Sequence, residues 1–174
     1  MVACQSTAIQ TVKNCQTLVL PKIVLDCRDG IIPIEDFRGL TSTDWRFLKM
    51  LCPDLQVELF ICTTSPSRRE VEFLILPNMP ITWLQYRCSA FDMEMETDVL
   101  FGHLLACKTN DHLVSLVYDS DLNIRDLAST FPPFLQACRK LECLELFVAY
   151  PANGIDLLVQ SWLENRPESL EKVR

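Results

Sequence analysis

Glycine is scarce in this chain: only Gly30, Gly39, Gly102 and Gly154 occur in 174 residues. Phosphate-cradling loops need several glycines at fixed spacing so that backbone N–H groups can approach the ligand, and that chemistry is excluded. Histidine is scarcer still, with His103 and His112 alone. Cysteines number nine, but no two stand in C-x-x-C spacing and the closest pair is Cys138 and Cys143. Zinc needs clustered nitrogen and sulfur ligands, so neither a metal nor a cofactor is expected. The first twenty residues hold no continuous apolar leader run. Nowhere does an apolar run approach the roughly 18–20 residues that a membrane span requires. An odd set of cysteines behind no leader reads as reduced thiols in the cytoplasm or nucleus, used as small core residues.

What is present is a core-forming composition. Apolar residues make up 49% and charged residues 22% of the chain, enough for one packed domain rather than a disordered one. The net charge of −7 and the pI near 4.8 repel phosphate backbones, so nucleic acid is not an expected partner. Such an acidic balance suits a basic protein partner.

A short pattern recurs: apolar, two others, apolar, one other, apolar. It appears as Leu20, Ile23, Leu25, then Ile81, Leu84, Tyr86, then Leu113, Leu116, Tyr118, then Leu141, Leu144, Leu146. A fifth copy, Leu55, Val57, Leu59, is one residue shorter. Aligning the central residues gives intervals of 34, 27, 32 and 28 residues. Leucine-rich repeats run roughly 20–29 residues, so two intervals fit and two imply insertions.

The stretches between the copies carry helical spacing. Trp45, Leu48 and Cys52 share a face, with Thr41 to Thr43 as capping candidates. Leu100, His103, Leu104 and Cys107 share another. Ile124, Leu127, Phe131, Phe134, Leu135 and Cys138 form a third, which Pro132 and Pro133 are expected to break. Asn153 can cap a last helix bearing Ile155, Leu158, Val159 and Trp162. The resulting expectation is an α/β leucine-rich-repeat-like solenoid of about five strand–helix units over residues 18–165. Its strands run parallel, its helices lie on the convex side, and stacked units share one core. Residues 1–17 read as a weakly structured segment and 166–174 as a polar tail.

Two helix-to-strand junctions carry a further signal. Phe47-Leu48-Lys49-Met50-Leu51-Cys52-Pro53-Asp54-Leu55 ends a helix in cysteine three residues before the strand leucine. Cys138-Arg139-Lys140-Leu141 has the same form, and Cys107 before Leu113 is a looser copy. This resembles the leucine-rich-repeat region of F-box proteins. The resemblance implies the substrate-recognition region of a cullin-type ubiquitin-ligase adaptor. The F-box itself is not evident. Leu20-Pro21 and Trp45-Arg46 are similar to its opening and closing, but Arg28-Asp29-Gly30 and Pro33 interrupt the helices between. Ligase subunits are therefore expected partners only if an F-box lies upstream.

In a strand, alternate side chains point oppositely. If Leu25, Leu59, Leu84, Leu116 and Leu144 point inward, the concave face exposes Asp26, Glu58, Phe60, Gln85, Arg87, Val117, Glu145 and Phe147, together with Val24 and Ser115. Trp83 joins them. Aromatic residues with an arginine suit a protein interface. The alternative is that Phe60, Trp83 and Phe147 pack under loops, since a one-residue slip reverses every assignment.

An enzyme is not expected. Cys107 lies four residues from His103, so a thiol and a base could share a helix face, but that face is the apolar one. Asp92, Glu94, Glu96 and Asp98 read as a solvated loop leading into a helix, where acids complement the dipole. Asp119 and Asp121 read as turn residues. A plain leucine-rich-repeat scaffold without a ubiquitin role is the main alternative function, and a cysteine-dependent enzyme the weaker one.

Overall fold

The computed structural model describes residues 22–28, 39–64, 68–88, 95–120, 124–125, 127–148, 156, 159–160 and 168–174. The elements follow in chain order: β1 (Lys22–Arg28), α1 (Ser42–Leu51), β2 (Gln56–Thr63), α2 (Arg68–Leu74), β3 (Ile81–Cys88), β4 (Met95–Glu96), α3 (Thr97–Ala106), β5 (Ser115–Ser120), β6 (Ile124–Arg125), α4 (Leu127–Ala137), β7 (Cys143–Val148) and β8 (Lys172–Val173). Six strands form one sheet in the order β1-β2-β3-β5-β7-β8, and every pairing is parallel. A two-residue parallel pair, β4 with β6, stands apart.

Leu25, Leu59, Leu84, Leu116 and Leu144 are direct lateral partners and make one ladder across five strands. The last four are fully buried and Leu25 is half-buried. Ile23 and Val57 pair with Ile81, so aligning the repeats on Ile23 and Val57 places the first two strands one inward position out. The reason is a bulge. Val57 faces Ile81 but Glu58 faces Trp83, leaving Thr82 as an extra residue.

Later strands begin irregularly as well. The N–H groups of Glu142 and Cys143 both donate to the Val114 carbonyl, at 2.9 and 3.1 Å. Those of Glu171 and Lys172 both donate to the Glu142 carbonyl, at 2.9 Å each. A residue stepping out of the pleat lets Ile81, Leu113 and Leu141 point inward three residues before Leu84, Leu116 and Leu144. β2 has no such step, which is why its copy of the pattern is one residue shorter. Leu170 is buried in the corresponding position before Val173. The expected polar tail therefore holds a short sixth strand of the sheet, β8, one more than the five anticipated.

The helices follow from local chemistry plus burial. α1 opens with a capping box: the Asp44 N–H donates to Thr41 Oγ1 at 3.3 Å and the Thr41 N–H to Asp44 Oδ2 at 2.8 Å. Trp45 and Leu48 bury its inner face. Pro53 ends it, having no N–H to continue the ladder. The turns after three helices are alike. The Leu55 N–H donates to the Cys52 carbonyl, Met79 to Leu76, and Leu141 to Cys138, at 3.1 to 3.3 Å, and each donor residue is buried.

α4 runs through Pro132 and Pro133, against the expected break. Each proline in a helix interior costs roughly 3 kcal/mol. Phe131, Phe134, Leu135 and Cys138 are all buried around them, and burying such side chains is worth about 1.5–3 kcal/mol each. Tertiary burial outweighs the local penalty. Of the expected last helix, Asp156, Val159 and Gln160 are helical; Ile155, Leu158 and Trp162 lie outside the described residues.

Helices α1 to α4 pack on the leucine-ladder face. One continuous core contains Trp45 and Leu48 of α1, Val71 of α2, Leu100, Phe101 and Leu104 of α3, and Phe131, Phe134 and Leu135 of α4, with the inward residues of the strands. Phe101 is its hub, with ring centroids 4.8 Å from Phe131, 5.0 Å from Phe134 and 5.7 Å from Tyr118. On the opposite face none of the described side chains is buried. A parallel sheet normally carries helices on both faces, so a face that carries none among the described residues is the feature that positions a site here.

Candidate functional site on the open sheet face

The strands deliver their alternate residues to the bare face in rungs. One rung is Val24, Glu58, Trp83, Ser115, Cys143 and Lys172. The next is Asp26, Phe60, Gln85, Val117 and Glu145. The third is Arg28, Cys62, Arg87, Asp119 and Phe147. The nine residues expected on a binding face, Asp26, Glu58, Phe60, Trp83, Gln85, Arg87, Val117, Glu145 and Phe147, all lie on it together. Lys22, Arg28, Cys62, Asp119, Cys143, Lys172 and Arg174 also belong to it and were not anticipated. Asp119 is a strand residue here, not a turn residue. Its signal was available: it stands two residues beyond Val117, in the same alternation.

An aromatic pair occupies the middle of the face. Phe60 and Trp83 sit on adjacent strands with ring centroids 4.3 Å apart, tilted by 44°. Both are half-buried and packed against each other in the open. Charged pairs surround them. Lys22 meets Glu58 at 2.6 Å, Arg28 meets Asp26 at 2.9 Å and Arg87 meets Asp119 at 3.3 Å. At the far edge Lys172 and Arg174 meet Glu145 at 3.7 and 3.4 Å. Exposed pairs of this kind contribute little to stability, so they matter as surface chemistry.

The thiol and imidazole groups weighed for catalysis lie elsewhere. His103 and Cys107 do share a face of α3. His103 Nε2 lies 2.7 Å from the Ile75 carbonyl, and Cys107 Sγ lies 3.6 Å from that oxygen and 3.4 Å from Nε2. A carbonyl only accepts, so Nε2 carries the hydrogen and has no lone pair to take the thiol proton. Burial pushes the Cys107 thiol up, away from the thiolate that nucleophilic chemistry needs. Ile75 follows the last turn of α2, so the pair satisfies a backbone acceptor left over at that helix end.

His112 accepts from Lys49 Nζ at 2.8 Å, because an ammonium can only donate. Its ring is held neutral: burial, then the Lys49 and Lys140 charges, lower its pKa, with Asp111 opposing. In the acidic stretch ahead of α3, Asp92 and Glu94 lie outside the described residues, Glu96 ends β4, and Asp98 lies in the first turn of α3. Among the described residues no three His, Cys, Asp or Glu side chains converge as metal ligands. A cavity of about 470 Å³ opens on the helical side, lined by Leu25, Cys27, Trp45, Leu59, Phe73 and Met79 among others. Its one thiol, Cys27, is pushed up to about 11 by burial first and then by Asp26 and Glu70.

Among the described residues, the fold and the site thus define an open α/β sheet of six parallel strands with helices on one side and a mixed aromatic and charged face on the other. Comparison with protein-family models, with curated proteins and with solved structures finds no match to this chain. No helix among the described residues is long and apolar enough to cross a membrane.

Proposed function

We propose that this chain is a protein-binding module of leucine-rich-repeat type, with the bare sheet face as its concave recognition surface. In this reading it forms the substrate-recognition region of an F-box-type ubiquitin-ligase adaptor in the cytoplasm or nucleus, without catalytic activity of its own. The observation that carries the binding role is the Phe60–Trp83 pair, left open at the centre of a face where nothing is buried. Aromatic side chains held in place by neighbours are the usual anchors of protein interfaces.

Three further features support the repeat reading. Strands and helices alternate along the chain, the bulged strand starts recur, and the turns after Cys52 and Cys138 are built alike. Buried Cys107 and Cys138 serve as small core residues, in keeping with reduced thiols. A scaffold with no ubiquitin role would use the same face, and only its companions would differ.

The test is quantitative affinity capture from cells. The parent chain is compared with Phe60→Ala and Trp83→Ala, and with Met50→Ser on the exposed side of α1 as control. Partners held by the face are lost from both aromatic variants and kept by the control. A capture profile indifferent to all three substitutions overturns the reading. For the ligase role, captured partners accumulate when cullin activation is blocked; unchanged abundance favours the plain scaffold.

A further inference from the structure

The overall charge of −7 points to a basic partner, but the face itself points the other way. Its ion pairs among the described residues bring five cations, Lys22, Arg28, Arg87, Lys172 and Arg174, against four carboxylates, Asp26, Glu58, Asp119 and Glu145. In every one of the five ion pairs the cation is the more exposed member. Arg87 is 55% exposed against 26% for Asp119, and Arg174 61% against 19% for Glu145. The cause is side-chain length. Short carboxylate stems lie down between strands, while lysine and arginine stems rise past them and place their charge outermost. A partner therefore meets cations first. The carboxylates beneath hold the guanidiniums in place without exhausting them, since each guanidinium has five donors. Arg28, for example, gives Nε and Nη2 to Asp26 at 2.9 Å each and keeps further N–H groups.

We infer that the open face takes an acidic protein segment anchored by a bulky apolar side chain. This rests on the proposed function and specifies the partner's chemistry. The apolar anchor seats on Phe60 and Trp83, and its flanking carboxylates reach Arg28 and Arg87 on one side and Lys22 on the other. The cations frame the aromatic pair from both ends of the strands rather than forming one track. Four carboxylates stand among them. A polyphosphate backbone would follow a continuous basic stripe and be repelled here, so a peptide segment is favoured over nucleic acid. Six strands spaced about 4.8 Å apart span roughly 24 Å, the reach of about seven extended residues.

The experiment pans the full chain against a displayed library of random twelve-residue peptides, with a single-stranded twenty-nucleotide oligomer as a separate arm. The expected result is enrichment of sequences with two or more Asp or Glu around a Leu, Phe or Trp. Their binding falls by at least about tenfold in the Arg28→Glu, Arg87→Glu double variant, in line with loss of partly desolvated charge pairs. Lysine-for-acid versions of the same peptides regain binding to that variant. Circular dichroism and denaturant midpoints confirm that the variants fold, and Arg28→Gln with Arg87→Gln gives an intermediate loss.

Enrichment of uncharged or basic peptides overturns the inference. If those peptides still lose binding to Trp83→Ala, the recognition face stands and only its charge preference falls. If no enriched peptide depends on Phe60 or Trp83, or nothing enriches, both readings fall. Oligonucleotide binding that is tighter than peptide binding and lost in the double variant reassigns the face to nucleic acid.

Discussion

The two faces of this sheet are made by the same strands, one residue out of step, and they are chemically opposite. The helical face repeats one answer: leucine stacks on leucine from β1 to β7, closed over by Trp45, Phe101, Phe131 and Phe134. The bare face repeats nothing; its rungs mix valine, glutamate, tryptophan, serine and cysteine. A buried ladder has one physical requirement, that apolar volume fill the space between strand and helix, and it converges on one residue type. A solvated face has no such requirement, so its variety is free to serve recognition.

The sharpest way to break this comparison is to cut the same strand on its two sides. Leu84→Ala and Leu116→Ala each remove a fully buried side chain and should cost about 2–5 kcal/mol. Gln85→Ala and Val117→Ala, one residue further on, should stay within about 1 kcal/mol. Denaturant midpoints at constant slope are the measurement. Equal losses on both sides would mean that the bare face is structural.

The next effect is alkaline. Burial, and to a lesser degree Asp111, raises the Cys138 thiol from an ordinary 9.0 to about 12. The fold therefore holds this proton more tightly than the unfolded chain does. Its contribution to stability is complete below pH 9 and is lost as the pH climbs toward 12, because the unfolded chain ionises first. Cys138→Ala should flatten that decline in a pH series of midpoints. Half-buried Cys62 and Cys143 on the bare face should alkylate before Cys138, as mass spectrometry of a timed reaction would show.

A smaller effect belongs to a buried polar contact. Thr63 Oγ1 donates to Glu70 Oε2 at 2.9 Å, with both residues buried. Thr63→Val takes a donor from a buried carboxylate and should cost about 1–3 kcal/mol by chemical denaturation. Thr63→Ser, which keeps the hydroxyl, should recover most of it.

The smallest is an acid limb from His112. The fold lowers its pKa below the ordinary 6.5, so its contribution is complete above that value and falls as the pH drops below it. His112→Gln should reduce the acid sensitivity of the thermal midpoint between pH 7 and pH 5. An unchanged slope would show that burial of His112 carries no linkage.

Much of this architecture can be read from residue order. The apolar triplets mark β3, β5 and β7 and their inward leucines because a half-buried strand must alternate, and alternation is visible one residue at a time. Thr41 followed by Asp44 marks the start of α1 because a cap is a local bond. The nine face residues follow from the same alternation once the leucines are set inward. Three features are not legible in this way. α4 continues through Pro132 and Pro133 because Phe101 from another helix packs against Phe131 and Phe134. β8 is two residues long, too short to show a period, and exists because Glu142 offers a carbonyl to the N–H groups of Glu171 and Lys172. The Arg87–Asp119 pair joins residues thirty-two positions apart on neighbouring strands, and no local pattern shows it.

The sequence by itself determined which strand residues go inside, where α1 begins, and that strands and helices alternate. Each of those rests on contacts between near neighbours along the chain. Only the tertiary structure decided which leucine faces which, that the described helices leave one side of the sheet uncovered, and that the cations of an acidic chain stand outermost there. Those depend on the bulge at Thr82, on helices all folding to one side, and on the different reach of arginine and aspartate. All three bring together residues that the linear order keeps apart.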